Sequence, residues 1–276
     1  MTEKEAADAF LKFLEDRFRN KIDPDKYYLA YSGGKDSHLL YWFIREWLHE
    51  NQIIVVGVNT SFEIPEIRDR ILKNSDVVLH PVMHRNLIKE KYGIPCFSKQ
   101  QDEYIYRYQR GNRSENTMRA VMGKNTIIKL NNTARTLLLS GELHRISNKC
   151  CEKNKENPMI KWGNKYGRNA ITGVRGSESK TRKAKYTSCL HKNGNFTPIY
   201  DWTDEMVDLV YRVYDIEIPS VYQTVDRTGC AGCPYGRRGH PVENELALLP
   251  RLQRKAAIRF FKESYDVLGI NYEEEE

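Results

Sequence analysis

The string Ser32-Gly33-Gly34-Lys35-Asp36-Ser37 narrows the folds open to this chain more than any other stretch. It lies between a short β-prone run, Tyr27 to Tyr31 (YYLAY), and an apolar, aromatic-rich segment from Leu39 to Leu48 that reads as a helix. A glycine turn that feeds a helix N-terminus lets backbone N–H groups converge on an anion. Lys35 adds a mobile point charge for phosphate, and the hydroxyls of Ser32 and Ser37 donate to phosphate oxygens without adding repulsion. Asp36 is expected to hold the loop or a magnesium ion. The spacing matches neither the Walker pattern nor GxGxxG, so the chemistry of those folds is not implied; a purely structural turn is the competing reading.

Beyond the loop, Ile53 to Val58 (IIVVGV) is a nearly continuous apolar run of the kind found in parallel strands covered on both faces. A helix-like Pro65 to Lys73 and a short strand at Val77 to Leu79 follow. The alternation predicts an α/β fold with a doubly wound, mostly parallel sheet. Residues 4 to 20 carry Ala7, Phe10, Leu11 and Leu14 at helical spacing, and Asp23-Pro24 breaks that helix. The expected organisation is an N-terminal helix over 1–24, a nucleotide-binding domain over 25–200 with a polar, basic insertion of surface helices at about 99–130, and a cysteine-containing extension over 201–276. Ala170 to Val174 (AITGV) reads as a later core strand. Asn193-Gly194 marks a hairpin between Tyr186 to Leu190 and Phe196 to Tyr200, and Thr203 caps a helix reaching Val213. The terminal EEEE reads as a solvated end.

There are 44 Lys and Arg against 37 Asp and Glu, a net charge of +7 that favours anionic partners or simply serves solubility. Within the insertion, Arg107, Arg110, Arg113 and Arg119 are interleaved with Tyr104, Tyr106 and Tyr108. Cations mixed with stacking rings can track a nucleic acid backbone; a lid or a charged surface helix explains them equally. No stretch approaches the roughly 18 to 20 apolar residues of a membrane span, and MTEKEAADAF lacks the features of a signal peptide. The expected location is the cytoplasm, with no membrane contact.

A second anion-binding segment follows the AITGV strand. Gly173 to Ser179 reads GVRGSES, and Arg175, Lys180, Arg182, Lys183 and Lys185 crowd a short stretch. Lys183 and Lys185 read as solvated surface, whereas Arg175, at the carboxyl end of a core strand, lies where doubly wound sheets bind ligands. The cysteines form a third constellation: Cys150 and Cys151 are adjacent, and Cys230-Ala-Gly-Cys233 is a CxxC turn. Four thiolates can meet in the fold and hold an iron–sulfur cluster; structural zinc and unrelated buried thiols stand as alternatives. Lys149 and Lys153 flank the vicinal pair and could offset a cluster's negative charge.

SGGKDS resembles the PP-loop of the ATP pyrophosphatases, the adenine nucleotide hydrolase-like superfamily. That resemblance implies a HUP-like sheet and cleavage of ATP between its α and β phosphates. The GVRxxESxxR pattern, with Arg175, Glu178, Ser179 and Arg182, is similar to a segment of the phosphoadenosine phosphosulfate (PAPS) reductase family. The CC and CxxC pairs resemble those that bind a 4Fe-4S cluster in adenosine phosphosulfate (APS) reductases. Together these likenesses imply nucleotide binding through Ser32, Gly33, Gly34, Lys35, Asp36, Ser37, Gly173, Arg175, Glu178, Ser179 and Arg182. They imply catalysis centred on Lys35, Asp36 and Arg175, and metal ligation by Cys150, Cys151, Cys230 and Cys233. The nucleotide is ATP, APS or PAPS, with Mg2+ expected beside it.

Two departures point away from plain reduction. No cysteine follows Cys233 in this sequence, whereas the family's assimilatory reductases use a nucleophilic cysteine in a C-terminal ECGLH-like tail. The loop also keeps the lysine of ATP pyrophosphatases. The leading expectation is ATP-dependent activation of a target for sulfur insertion, as in DNA phosphorothioation or tRNA thiolation, with a sulfur donor protein or thiol reductant as partner. An APS or PAPS reductase and a non-catalytic nucleotide and cluster sensor are the alternatives. Cys96 and Cys189 read as buried apolar residues, with sulfur carriage as the second option.

Overall fold

The computed structural model describes residues 1–124 and 128–273. Residues 125–127 of the expected insertion and Glu274 to Glu276 of the acidic end lie outside the described residues. In chain order the elements are α1 (Glu3–Lys21), β1 (Tyr27–Tyr31), α2 (Lys35–Trp42), β2 (Ile54–Val58), α3 (Pro65–Asn74), β3 (Val77–Leu79), α4 (Arg85–Tyr92) and α5 (Lys99–Gln109). There follow α6 (Glu115–Val121), α7 (Asn132–Ser140), α8 (Lys149–Cys151), α9 (Asn157–Tyr166), β4 (Asn169–Ile171), α10 (Lys180–Lys185), α11 (Asp204–Val213), α12 (Val242–Ala247) and α13 (Arg251–Leu268). Two compact units divide the chain. The first comprises Met1–Asn59, Glu66–His80 and Pro158–Ser220; the second comprises Thr60–Pro65, Pro81–Asn157 and Val221–Glu276. This division departs from a sequential partition at 24 and 200, because the chain leaves the first unit after β3, returns to it at Pro158 and leaves it again after Ser220.

The first unit is α/β. Its four strands are all parallel, in the order β3-β2-β1-β4, with Leu29 opposite Val55 on one side and opposite Ile171 on the other. Central β1 is buried along nearly its whole length, which is why YYLAY is apolar and aromatic rather than alternating. Ahead of it, α1 starts on a capping box between Thr2 and Glu5 and buries Ala7, Leu11, Leu14 and Phe18 along one face. Phe18 meets Phe43 and Phe196 at centroid distances of 5.3 and 5.2 Å. The helix after the loop begins at Lys35, earlier than Leu39, and passes into a π-turn over Phe43–Trp47.

Two expected strand features are shorter than their sequences suggest. β4 stops at Ile171, because Thr172 to Arg175 turn away toward the loop after β1. The hairpin reduces to a single antiparallel bridge, Leu190 to Phe196, since Phe196 also pairs in parallel with Ile171.

The second unit is helical and has its own core. Cys96, Phe97, Ile105, Val121, Leu130, Ala134, Leu138, Leu143 and Ile146 pack together. The insertion is therefore not a set of surface helices: Ile105 and Val121 are fully buried, and α7, unread in the sequence, closes the same core. Among the described residues no helix is long and apolar enough to cross a membrane.

Candidate functional site

The strand order of the first unit reverses at β1. Chain from β1 runs through α2 to β2 on one side, while β4 lies on the other, so the carboxyl ends of β1 and β4 flank the position where open α/β sheets bind ligands. Both predicted anion segments emerge there. Gly33 adopts a left-handed φ of 73°, and a Cβ on it would come within 2.9 Å of the Ile67 carbonyl. Gly34 is the N-cap of α2 and makes no side-chain cap bond, so the helix starts on bare backbone. Ser37 Oγ donates to the Gly34 carbonyl at 2.9 Å and lies 3.0 Å from Ser32 Oγ, which closes the loop from within.

The second segment meets this loop directly. A Cβ on Gly173 would fall 2.8 Å from the Asp36 carbonyl carbon, so only glycine lets the chain after β4 approach so closely. Arg175 is 5% exposed. Its Nε donates to Asp36 Oδ1 at 2.9 Å, Nη1 to Ser177 Oγ at 3.1 Å and Nη2 to Asp204 Oδ1 at 2.7 Å. The expected open phosphate fork is thus an internal brace across 139 residues of sequence. Burial raises the Asp36 carboxyl from its ordinary value, against the opposing pull of Arg175. Lys35 is ion-paired to Asp208, and Tyr211 donates to the Lys35 carbonyl at 2.7 Å. Arg182 pairs with Glu178, and Ser179 caps α10 by accepting from the Arg182 N–H. Asp204, Asp208 and Tyr211 were missed as site residues. Their spacing along α11 places all three on one helical face, a signal legible only once the helix is known to meet the loop.

In the second unit the four paired cysteines gather. None is in a disulfide. Burial pushes the Cys150 thiol up, and the charges of Cys230 and Cys151 push it further. Cys233 is raised by burial and then by Cys151 and Cys230, and Cys230 is pushed up to about 11 by burial with Lys155 opposing. The CxxC turn is firmly built. Cys233 N–H returns to the Cys230 carbonyl at 3.1 Å, and Gly232, with φ 74°, donates its N–H to buried Glu245 at 2.7 Å. His240 lies 2.7 Å from the same carboxylate, and Tyr265 donates to the Gly232 carbonyl. On the vicinal pair, Asn154 Nδ2 contacts Cys150 Sγ at 3.2 Å, and a π-turn at Glu152–Glu156 follows at once.

The flanking cations differ from expectation. Lys149 and Lys153 both pair with Glu152 and spend their charge there. Lys155, paired with Glu63 at 3.7 Å, and Lys99, paired with Glu156 at 3.2 Å, also lie in the field of the thiols. Burial opposes the charge on Lys155, but Cys230 and Glu63 outweigh it, and Lys99 feels Cys151 and Cys233. Among the described residues no three of His, Cys, Asp and Glu form a group that could hold a metal ion. A single tetrahedral ion draws its sulfurs onto one atom, whereas in a four-iron cluster each thiolate meets a different iron and the sulfurs stand further apart. Cys96 is wholly buried in the helical core, where burial pushes its thiol up to about 12; Cys189 is buried in the first unit.

Residues 125–235 match the family model of the phosphoadenosine phosphosulfate reductase domain. The match takes in Gly173 to Arg182 and all four paired cysteines and leaves the Ser32 to Ser37 loop outside. No curated protein matches the chain in sequence. Among solved structures, NMN synthetase from Francisella tularensis superposes with a TM-score of 0.37 at 10% identity, over 99% of this chain and 89% of that one.

Proposed function

We propose that the chain is a nucleotide-utilising enzyme of sulfur chemistry that cleaves ATP to AMP and pyrophosphate in order to activate an acceptor for sulfur insertion. The observation that carries this reading is the meeting of the Ser32 to Ser37 loop with Gly173 to Arg175 at the break in strand order. The N–H groups at the start of α2 and the Lys35 ammonium bind the phosphates and stabilise charge on the departing pyrophosphate. An acceptor oxygen attacks the α-phosphorus, the bond to the bridging oxygen breaks, and pyrophosphate leaves. A sulfur nucleophile from a donor then displaces AMP from the acceptor. Arg175 keeps Asp36 in place, and a magnesium ion needs only one or two protein carboxylates beside the phosphates.

Cys150, Cys151, Cys230 and Cys233 would hold a 4Fe-4S cluster, with Lys155 and Lys99 offsetting its charge. Such a cluster supplies electron transfer or sulfur handling when bound. The match to the reductase family model favours a second reading, reduction of APS or PAPS to sulfite with a thiol brought by a partner. Anaerobically purified protein incubated with labelled ATP, APS and PAPS separates the two. AMP and pyrophosphate from ATP are expected; sulfite from a sulfonucleotide would replace the first reading by the second. Nucleotide binding with no turnover of any of the three would leave only a sensor.

A further inference from the structure

The helical unit contains a cavity of about 470 Å³ that neither the nucleotide loop nor the thiols use. Tyr92, Tyr106, Tyr108, Arg110, Arg113 and Arg145 contribute to its wall. Its floor includes Leu138 and Leu143, both buried members of the core, so the base of the cavity is rigid and apolar. The three tyrosines are half-buried, each leaving part of its ring accessible.

Among the described residues no carboxylate pairs with Arg110, Arg113 or Arg145, and backbone carbonyls hold them instead. Arg110 Nη2 donates to the Lys91 carbonyl at 2.7 Å, Arg113 Nη1 to the Tyr108 carbonyl at 2.6 Å, and Arg145 Nη1 to the Glu90 carbonyl at 2.7 Å. Carbonyls orient a guanidinium but leave its full charge facing outward. Arg113 also lies 3.7 Å over the Tyr108 ring and Arg110 5.2 Å over Tyr106. The neighbouring Arg107 and Arg119 behave differently, since they pair with Glu103 and Glu115 one turn back, and Tyr104 is buried. The basic, aromatic stripe of the sequence thus splits into a neutralised part and a charged pocket, to which Arg145 arrives from a distant loop.

We propose that this cavity binds a nucleotide unit, its base against the tyrosine rings and its phosphate on the three guanidiniums. Stacking and phosphate contact together are the chemistry of single-stranded nucleic acid recognition, and a volume of this size suits one nucleotide. The same unit could come from a nucleic acid strand or from a free mononucleotide. The inference stands on the pocket alone and does not depend on the loop after β1.

The test uses the full chain, fluorescence anisotropy with a short labelled single-stranded oligonucleotide, direct titration with AMP, and competition by polyphosphate. One strand phosphate held on these guanidiniums gives a log–log salt slope of about −0.7. The double substitution Arg113→Ala with Arg145→Ala should lower affinity at least tenfold and flatten that slope. Tyr106→Ala should weaken binding about tenfold, with Tyr106→Phe close to wild type. Arg119→Ala should leave binding of both probes unchanged. In the proposed function AMP is also the product released at the nucleotide loop, so its titration is read only as the difference between wild type and the pocket variants, which tells failure of the loop and failure of this pocket apart. Loss confined to the oligonucleotide assigns the strand as source, and equal loss for AMP assigns the mononucleotide. Binding indifferent to the pocket variants overturns the proposal, as does polyphosphate competing as well as the oligonucleotide, or no binding of either probe.

Discussion

In the proposed function Lys35 carries the charge that meets the incoming phosphate, and in the structure Asp208 already holds that charge. The pair is partly exposed, at 25% and 50% of the two side chains, so it contributes less than about 1 kcal/mol to stability. Lys35→Ala should therefore reduce ATP turnover while the thermal midpoint stays within about a degree or two of wild type. Asp208→Asn should lower the KM for ATP, because phosphate then has no carboxylate to displace. Steady-state kinetics with both variants checks this, and wild-type kinetics in Lys35→Ala would remove the phosphate role. At this scale the sequence identifies residues better than their partners. Arg175 is legible as an arginine at a strand end, but its three acceptors lie on the loop, the following turn and α11. Lys149 and Lys153 look like the natural counter-ions of the vicinal cysteines, yet Glu152, adjacent and equally local, takes both. Lys155, by contrast, is brought to Cys230 and Glu63 only by the folded chain.

Among the elements, central strands were the most legible, since burial on both faces writes itself as unbroken apolar sequence. Central β1 falls on its predicted residues and β2 starts one residue late; β3, a half-buried edge strand, also falls on Val77 to Leu79. Elements whose ends are set by a distant neighbour were not. β4 is cut short by the path toward Asp36, and α7 (NTARTLLLS) is recognisable mainly by the core it closes. Gly173 sits where these effects meet. Gly173→Ala would drive a methyl group into the Asp36 backbone, which has no flexible side chain to yield. The expected cost is about 1 to 3 kcal/mol together with a raised KM for ATP, because the loop must shift to make room. Urea unfolding followed by ATP kinetics measures both. An unchanged KM alongside lost stability would show that the loop tolerates the shift, and would separate β4 from nucleotide binding.

For the molecule as a whole, the two chemistries fall in different units: the phosphate loop with the sheet, and the thiols with the helices. Anaerobic protein should be brown, with about four iron atoms and four sulfides per chain. Cys230→Ser or Cys233→Ser should bleach it and lower hydrogen-exchange protection across 81–124, 128–157 and 221–273, since in the proposed function one cluster would fasten ligands far apart in sequence. Cys96→Ser and Cys189→Ser should keep the colour, since neither belongs to the CC or the CxxC pair. Iron retained after loss of Cys230 or Cys233 would remove the cluster assignment. The interleaving of the units also governs how the protein is made. The sheet unit lacks β4 until residue 171 has been synthesised and is not closed until Ser220, by which time most of the helical unit has emerged. At a translation rate of about 5 to 20 residues per second, the open edge of β1 waits about 7 to 28 seconds for β4, while β2 already has β1 and β3 beside it. A ribosome-stalled chain ending near residue 157 should thus expose the unpaired N–H and C=O groups on the edge of β1 that β4 later covers, and it is there that a nascent-chain chaperone would be needed most.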